Sequence, residues 1–200
     1  MSEGTKQKVG LRERKKAKTM ANVQMHALSL FREKGYHATT VDQIAEAAEI
    51  SPSTFFRYFA TKEDVVLTDN YDPLLVAALE NQPAELSPLQ AVRNAMISEI
   101  IEMTDDEWET TRQRNQLIMT VPELRAAALN NYTKFMQLLT QIVAKRVGSH
   151  SEDLAVRTFA GVIVGVNISL MEYSAEVTKS EFSKLLDEAL EVVEKGLLIG

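Results

Sequence analysis

The residues best equipped for chemistry lie close together, in the stretch TVDQIAEAAEISPSTFFRYFATK from Thr40 to Lys62. Phe55 and Phe59 are four apart, so on a helix both face the same side and point inward. Ser53, Thr54, Phe56 and Arg57 are then turned outward. Two hydroxyls, a ring and a guanidinium contain no general base and suit no bond-breaking step. They suit the edges of base pairs: hydroxyls bond either kind of base, a guanidinium takes guanine or a phosphate, and a ring meets thymine methyl groups. A hairpin that is only core would leave Phe56 beside Arg57 on an outer face without a packing reason.

No other stretch supports catalysis. His26, His37 and His150 are scattered, and there is no cysteine. No glycine-rich phosphate loop, GxSxG elbow or HExxH pair is present. Asp105 and Asp106 open a helix, where the helix dipole accounts for them. No catalytic residue, metal site or cofactor is expected; a helical enzyme is the weakest of the readings.

The elements that must hold the outward residues are short helices with clear starts. Thr40 and Gln43 form a capping box, and Val41, Ile44, Ala45 and Ala48 give one apolar helical face. Ile50 plugs the turn. Ser51 caps the next helix, with Pro52 at its first position, where the missing N–H costs nothing. Thr61 caps a third, which begins at Lys62. Two short helices joined by a tight turn, the second carrying a polar and cationic face, describe a helix-turn-helix.

Charge is distributed to match. Residues 1–62 hold 11 Lys and Arg against 6 Asp and Glu, while residues 63–200 hold 11 against 22, within an overall charge of −6. A basic head on an acidic body fits a DNA reader with a separate regulatory part, although a chance gradient gives the same numbers. Arg12, Arg14, Lys15, Lys16 and Lys18 form a cationic run before a helix with apolar face Met20, Val23, Ala27, Leu30 and Phe31. Five cations at a helix start oppose its dipole, and phosphate neutralisation by Arg12 and Lys15 would compensate. Residues 1–10 read as a polar, disordered lead.

The rest of the chain reads as helix. A helix from Lys62 runs to Pro73, which ends or kinks it. Further helices span Pro88–Met103, the segment after Thr104, Pro122–Val147, 151–175 and 179–198, for about nine helices and no sheet: an all-α fold. The expected division is a DNA-binding domain at 1–62 and a ligand-binding and dimerisation domain at 63–200. Met96, Met103, Trp108, Met119, Phe135 and Met171 are soft or aromatic groups that a flexible ligand site would use; ordinary core is the competing explanation. Arg112, Asn115 and Asn167 sit beside apolar neighbours, as ligand-orienting groups or as polar groups satisfied by a neighbouring helix. LAVRTFAGVIVGVNISLM at 154–171 is apolar nearly all round, with Gly161 and Gly165 four apart. Phe182, Leu185, Leu186, Ala189, Val193 and Leu197 make a stripe on the last helix. Either these two helices are the centre of a monomer core, or they bury a two-fold interface.

TTVDQIAEAAEISPSTFFRYFATKEDVV resembles the DNA-binding domain of the TetR family of bacterial repressors. That resemblance implies a homodimer through about 151–198, a double-stranded palindromic operator, and a small-molecule effector that releases it. It also implies that Thr40, Tyr58 and Lys62 touch phosphates. Pro52 and Ser53 stand where the family commonly has Lys-Gly, so base contacts there depart from the pattern; Ser51 joins the DNA-facing set with them. FFRYFATKEDVVLTDNYDPLL and RNQLIMTVPELRA resemble a branch linked to acyl-coenzyme-A-like ligands, which makes Arg112 and Arg114 partners for phosphate or carboxylate. The alternative is a DNA-binding protein controlled by a protein partner and no effector. The polar N-terminus is not a signal peptide, and Phe159–Met171 is too short to span a membrane, so a cytoplasmic protein is expected.

Overall fold

The computed structural model describes residues 11–68 and 72–197; the side chains of 11–14, 17 and 72–74 lie outside the description. Ten α-helices and one 3-10 turn fill the described residues, with no strand among them. The chain divides into two compact units, one ending at Val66 and the other beginning at Leu67.

The first unit holds α1 (Leu11–Lys34), α2 (Val41–Ala47), α3 (Pro52–Tyr58) and most of α4 (Lys62–Leu67). The cationic run belongs to the opening turns of α1 itself. The α1 face buries Val23, Ala27, Leu28 and Phe31, with Leu28 deeper than the half-buried Leu30. Gly35 (φ 87°) ends α1, where only glycine adopts that backbone freely. Ile44, Ala45, Phe55, Phe59, Val65 and Val66 complete this core. Val65 and Val66 are why the first unit extends past the expected boundary at 62. Buried Gln24 donates from Nε2 to the Val65 carbonyl (3.1 Å), tying α4 to α1.

The second unit holds α5 (Asp72–Glu80), α6 (Pro88–Glu102), α7 (Asp105–Thr120), α8 (Pro122–Val147), α9 (Leu154–Leu170), the 3-10 turn Tyr173–Ala175 and α10 (Lys179–Glu194). Here α8 packs along α9, α10 along α6, α5 along α6, and α7 against α8 and the 3-10 turn. Ala91, Val92, Ala95, Ile163, Leu186 and Leu190 lie at the centre of its core. Thr104 with Glu107 and Ser87 with Gln90 form reciprocal capping boxes, as their spacing requires.

Three boundaries differ from expectation. Pro73 does not end a helix; it is the second residue of α5, where a missing N–H breaks no bond. That start accounts for the additional helix. The segment expected as one helix over 151–175 stops at Leu170, and a separate 3-10 turn follows. The last helix stops at Glu194, because Gly196 (φ 86°) turns left-handed and its N–H and that of Leu197 fold back to Val193 and Val192. Leu197 is therefore outside the helical stripe and exposed, while Leu190 carries the core contact.

Candidate nucleic-acid interface and effector site

α2 and α3 are joined by a tight backbone turn. The N–H of Ile50 bonds the Ala45 carbonyl (2.9 Å) and that of Glu49 bonds Glu46 (3.0 Å), the paired return bonds of a Schellman ending. Glu49 occupies the left-handed position with φ 55°, where glycine is usual. Ser51 then caps α3: its Oγ accepts from Thr54 N (3.1 Å) and lies 2.9 Å from the hydroxyls of Ser53 and Thr54. Ser51 is thus spent on holding the helix start and on ordering two neighbouring hydroxyls.

Phe55 is 0% exposed and its neighbour Phe56 is 55% exposed. Their rings meet edge-on at 5.5 Å, so the buried ring fixes the exposed one. Arg57 is exposed beside it. Its guanidinium lies 5.0 Å from the Tyr58 ring centre, and Nη2 donates to the Tyr58 hydroxyl at 3.4 Å. Ser53, Phe56 and Arg57 therefore share an open face, with half-buried Thr54 at its edge.

The residues expected at phosphates are placed differently from one another. Thr40 is exposed and caps α2 in the predicted box. Lys62 is half-buried: its Nζ donates to the carbonyls of Tyr36 (3.0 Å) and Thr39 (3.3 Å) and sits 4.4 Å from the Tyr36 ring centre. The cation braces the α1–α2 loop. Tyr36 also donates to Glu63 (2.7 Å). Burial pushes the Glu63 carboxyl up, but this bond, its own backbone N–H, Thr61 and Lys62 hold it below the usual range. Lys15 is exposed on α1; Arg12 belongs to the same helix, but its side chain lies outside the described residues.

In the second unit, Arg112 and Asn115 converge on one segment. Arg112 Nη2 donates to the Ala175 carbonyl (2.8 Å), and Nη1 to Glu109 (3.1 Å). Asn115 Nδ2 bonds Ser174 Oγ (3.0 Å), which itself donates to the Met171 carbonyl (2.6 Å). The Tyr132 hydroxyl reaches Met171 Sδ at 2.9 Å. Burial raises the Tyr132 pKa, with Arg125 and Arg114 opposing. Trp108 packs its ring 5.1 Å from that of Phe182 and shares a core cluster with Met96 and Met103. Met119, Phe135 and Asn167 are half-buried, and no hydrogen bond or ring contact among the described residues joins them to this group. Sequence reasoning missed Thr111, Tyr132 and Ser174. A hydroxyl among apolar helix positions carries no signal of its own until the facing helix is known.

Residues 26–68 match the family of bacterial regulatory proteins named for tetR, and residues 86–198 match the MftR C-terminal domain. The regulator TcmR of Streptomyces glaucescens is 39% identical over 72% of this chain and 67% of its own. MftR of Mycobacterium tuberculosis is 30% identical over 92% of this chain and 93% of its own. Among solved structures, Thermus thermophilus FadR, in complex with lauroyl-CoA, has a TM-score of 0.52 at 22% identity, covering 90% of this chain and 96% of its own. Among the described residues no helix is long and apolar enough to cross a membrane.

Proposed function

Because the chain belongs to the TetR family of DNA-binding transcriptional regulators, which are not enzymes, we propose that it represses a palindromic operator as a homodimer and leaves it when a small apolar acid or its acyl-coenzyme-A-like derivative binds. The observation that carries the reading is the pair of neighbours in α3: Phe55 wholly inside, Phe56 and Arg57 outside. The inner ring anchors the helix, and the outer two face the major groove. Ser53 and Thr54 share that face, with Ser51, Thr40, Tyr58 and the Lys62-braced loop positioning it. Lys15 and Arg12 meet phosphates from α1.

Dimerisation uses α9 and α10. In the single chain Leu154 is 78% exposed, Val192 is exposed, and a Cβ on Gly165 would meet nothing within 4 Å. A second copy covering that face sets the two α3 helices about 34–36 Å apart, one DNA turn, or a multiple of it. The effector site is the α7 group of Trp108, Arg112 and Asn115, with Met96, Met103 and Met171. The acyl ligand is supported by the fold shared with the FadR solved with lauroyl-CoA. The Asn131 bond to the Leu67 carbonyl (2.8 Å), within the second unit, grips the residue where that unit starts, a point from which a ligand-driven change is passed on.

The test is operator binding with and without ligand. Arg57→Ala is expected to cost about 1–3 kcal/mol in operator affinity and to relax one position of the site. Acyl-coenzyme A and free fatty acids are titrated against operator-bound wild type and Arg112→Ala. Expected is a loss of affinity of about 5–150-fold in wild type, smaller in the variant. Release by no acyl compound would exclude the effector class, and unchanged binding in Arg57→Ala would remove that residue from the interface.

A further inference from the structure

On α7 three polar side-chain atoms are buried with no hydrogen-bond partner among the described residues: Trp108 Nε1, Thr111 Oγ1 and Arg112 Nε. They stand at i, i+3 and i+4, so they lie on one helical face. Trp108 is only 7% exposed. Folded proteins pair nearly all such groups, and three orphans on one face mark a place where an acceptor belongs. The other two guanidinium nitrogens of Arg112 each have one partner, Glu109 for Nη1 and the Ala175 carbonyl for Nη2.

We infer that these three groups receive the carboxylate of an apolar organic acid. The inference rests on the ligand-responsive reading and names the chemistry at its site. Indole N–H and guanidinium N–H only donate, and the Thr111 hydroxyl can donate as well. Their common partner is a group that only accepts and has at least three lone-pair positions. A carboxylate offers about four, whereas an ester or thioester carbonyl offers two. The positive guanidinium also favours an anion, and such charge-assisted bonds are the strong ones. The surroundings are apolar: the Trp108 and Phe182 rings pack with their centres 5.1 Å apart, and Met96 and Met103 belong to the same cluster.

Arg112 gives the site an outlet. A carboxylate on Nε acts on the same guanidinium whose Nη2 holds Ala175, in the turn between α9 and α10. Asn115 holds Ser174 in that turn. Occupancy of the donor face is therefore felt at the joint of the last two helices.

Trp108 is the only tryptophan, so its indole reports on the site directly. The full-length protein is titrated with straight-chain carboxylates from hexanoate to octadecanoate, with methyl dodecanoate and dodecanol, and with lauroyl-coenzyme A. Calorimetry gives affinity, and the indole N–H band in ultraviolet resonance Raman spectra gives its hydrogen bonding. Expected is a shift of that band to the bonded position with one or more acids, and binding of the matched ester and alcohol about tenfold weaker or worse. Thr111→Val, checked for an unaltered fold by circular dichroism, is expected to weaken the acid about tenfold and leave the ester as it was. Equal binding of acid and ester, an unmoved indole band, or an acid affinity indifferent to Thr111→Val overturns the inference. Operator release separates the two ideas. A ligand that frees DNA without these signatures keeps the regulator and removes the carboxylate site. An acid that binds with them but never frees DNA keeps the site and removes the release mechanism.

Discussion

α3 and α7 solve opposite problems with the same means. Both are capped by a hydroxyl residue and anchored by a buried aromatic side chain, Phe55 in one and Trp108 in the other. In α3 the polar groups are outside and ordered among themselves by Ser51 and Tyr58. In α7 some of them are inside: Arg114 is buried, and Trp108, Thr111 and Arg112 each keep one buried atom without a partner among the described residues. A helix that presents its chemistry to water can be completed before its target arrives. A helix that presents it inward is completed, on the inference above, only when its ligand arrives.

The largest effect that would test this contrast comes from Phe55. Phe55→Ala empties a fully buried ring position and is expected to cost about 3–5 kcal/mol of stability. Phe56→Ala, one residue on, is expected to stay within about 0.5 kcal/mol in a denaturant titration while weakening operator binding. Equal losses of stability would erase the distinction between anchor and reader.

Gly165→Leu comes next. In the single chain a Cβ added there meets nothing within 4 Å, so the melting temperature of the monomeric fold should hold. In a dimer through α9 it overpacks the contact, at about 1–3 kcal/mol. Sedimentation should show the variant dissociating at concentrations where wild type is dimeric. An unaltered dimer would move the interface elsewhere.

A smaller effect belongs to the acidic body. Arg93 Nε donates to Asp187 at 2.6 Å and holds that carboxyl below its usual range, with burial opposing. A depressed folded pKa means stability that is present above the unfolded value near 3.9 and lost as pH falls through the folded one. The carboxylate is 44% exposed, so solvent screening limits the pair to about 1 kcal/mol or less. Melts of wild type and Asp187→Asn should differ at neutral pH and converge as pH drops below about 4.

The smallest concerns the turn before α3. Glu49 holds a left-handed backbone that costs a side-chain-bearing residue about 1–2 kcal/mol, while glycine adds entropy to the unfolded chain. Glu49→Gly is expected to raise stability by about 1 kcal/mol or less, with no change in operator affinity. Loss of stability would mean that the Glu49 side chain contributes more than its backbone costs.

These elements were unequally legible in the sequence. Thr40, Ser51 and Thr61 announced their helices because a cap is local, set by residues three apart. Phe55 and Phe59 against Phe56 followed from helical period alone. Pro73 was misread because proline both stops a helix and starts one, and only the following residues tell which. The inner face of α7 was half read: Arg112 and Asn115, with Asn167 on α9, stood out as polar types beside apolar neighbours, and Trp108 only as one of several soft or aromatic groups. The partners of Arg112 and Asn115 in the 171–175 segment are about sixty positions away and follow no period. Lys62 looked like an outward cation, and the carbonyls of Tyr36 and Thr39 that hold it belong to a loop whose path no local pattern fixes.

The bond from Gln24 to the Val65 carbonyl bears on the order of synthesis. Chains emerge N-terminus first, at about 5–20 residues per second, and domains fold as units. Until residue 66 has cleared the ribosome, Gln24 lacks its acceptor and the first unit lacks Val65 and Val66 from its core. Once it has, that unit is complete. The second unit must wait for Asp187 to reach Arg93 and for Leu186 and Leu190 to close its centre. On the proposed reading, a finished DNA-reading head would then hang from the ribosome for several seconds, ahead of the helices that would dimerise it. Tight binding by two heads, as proposed, would be withheld until the whole chain has been made.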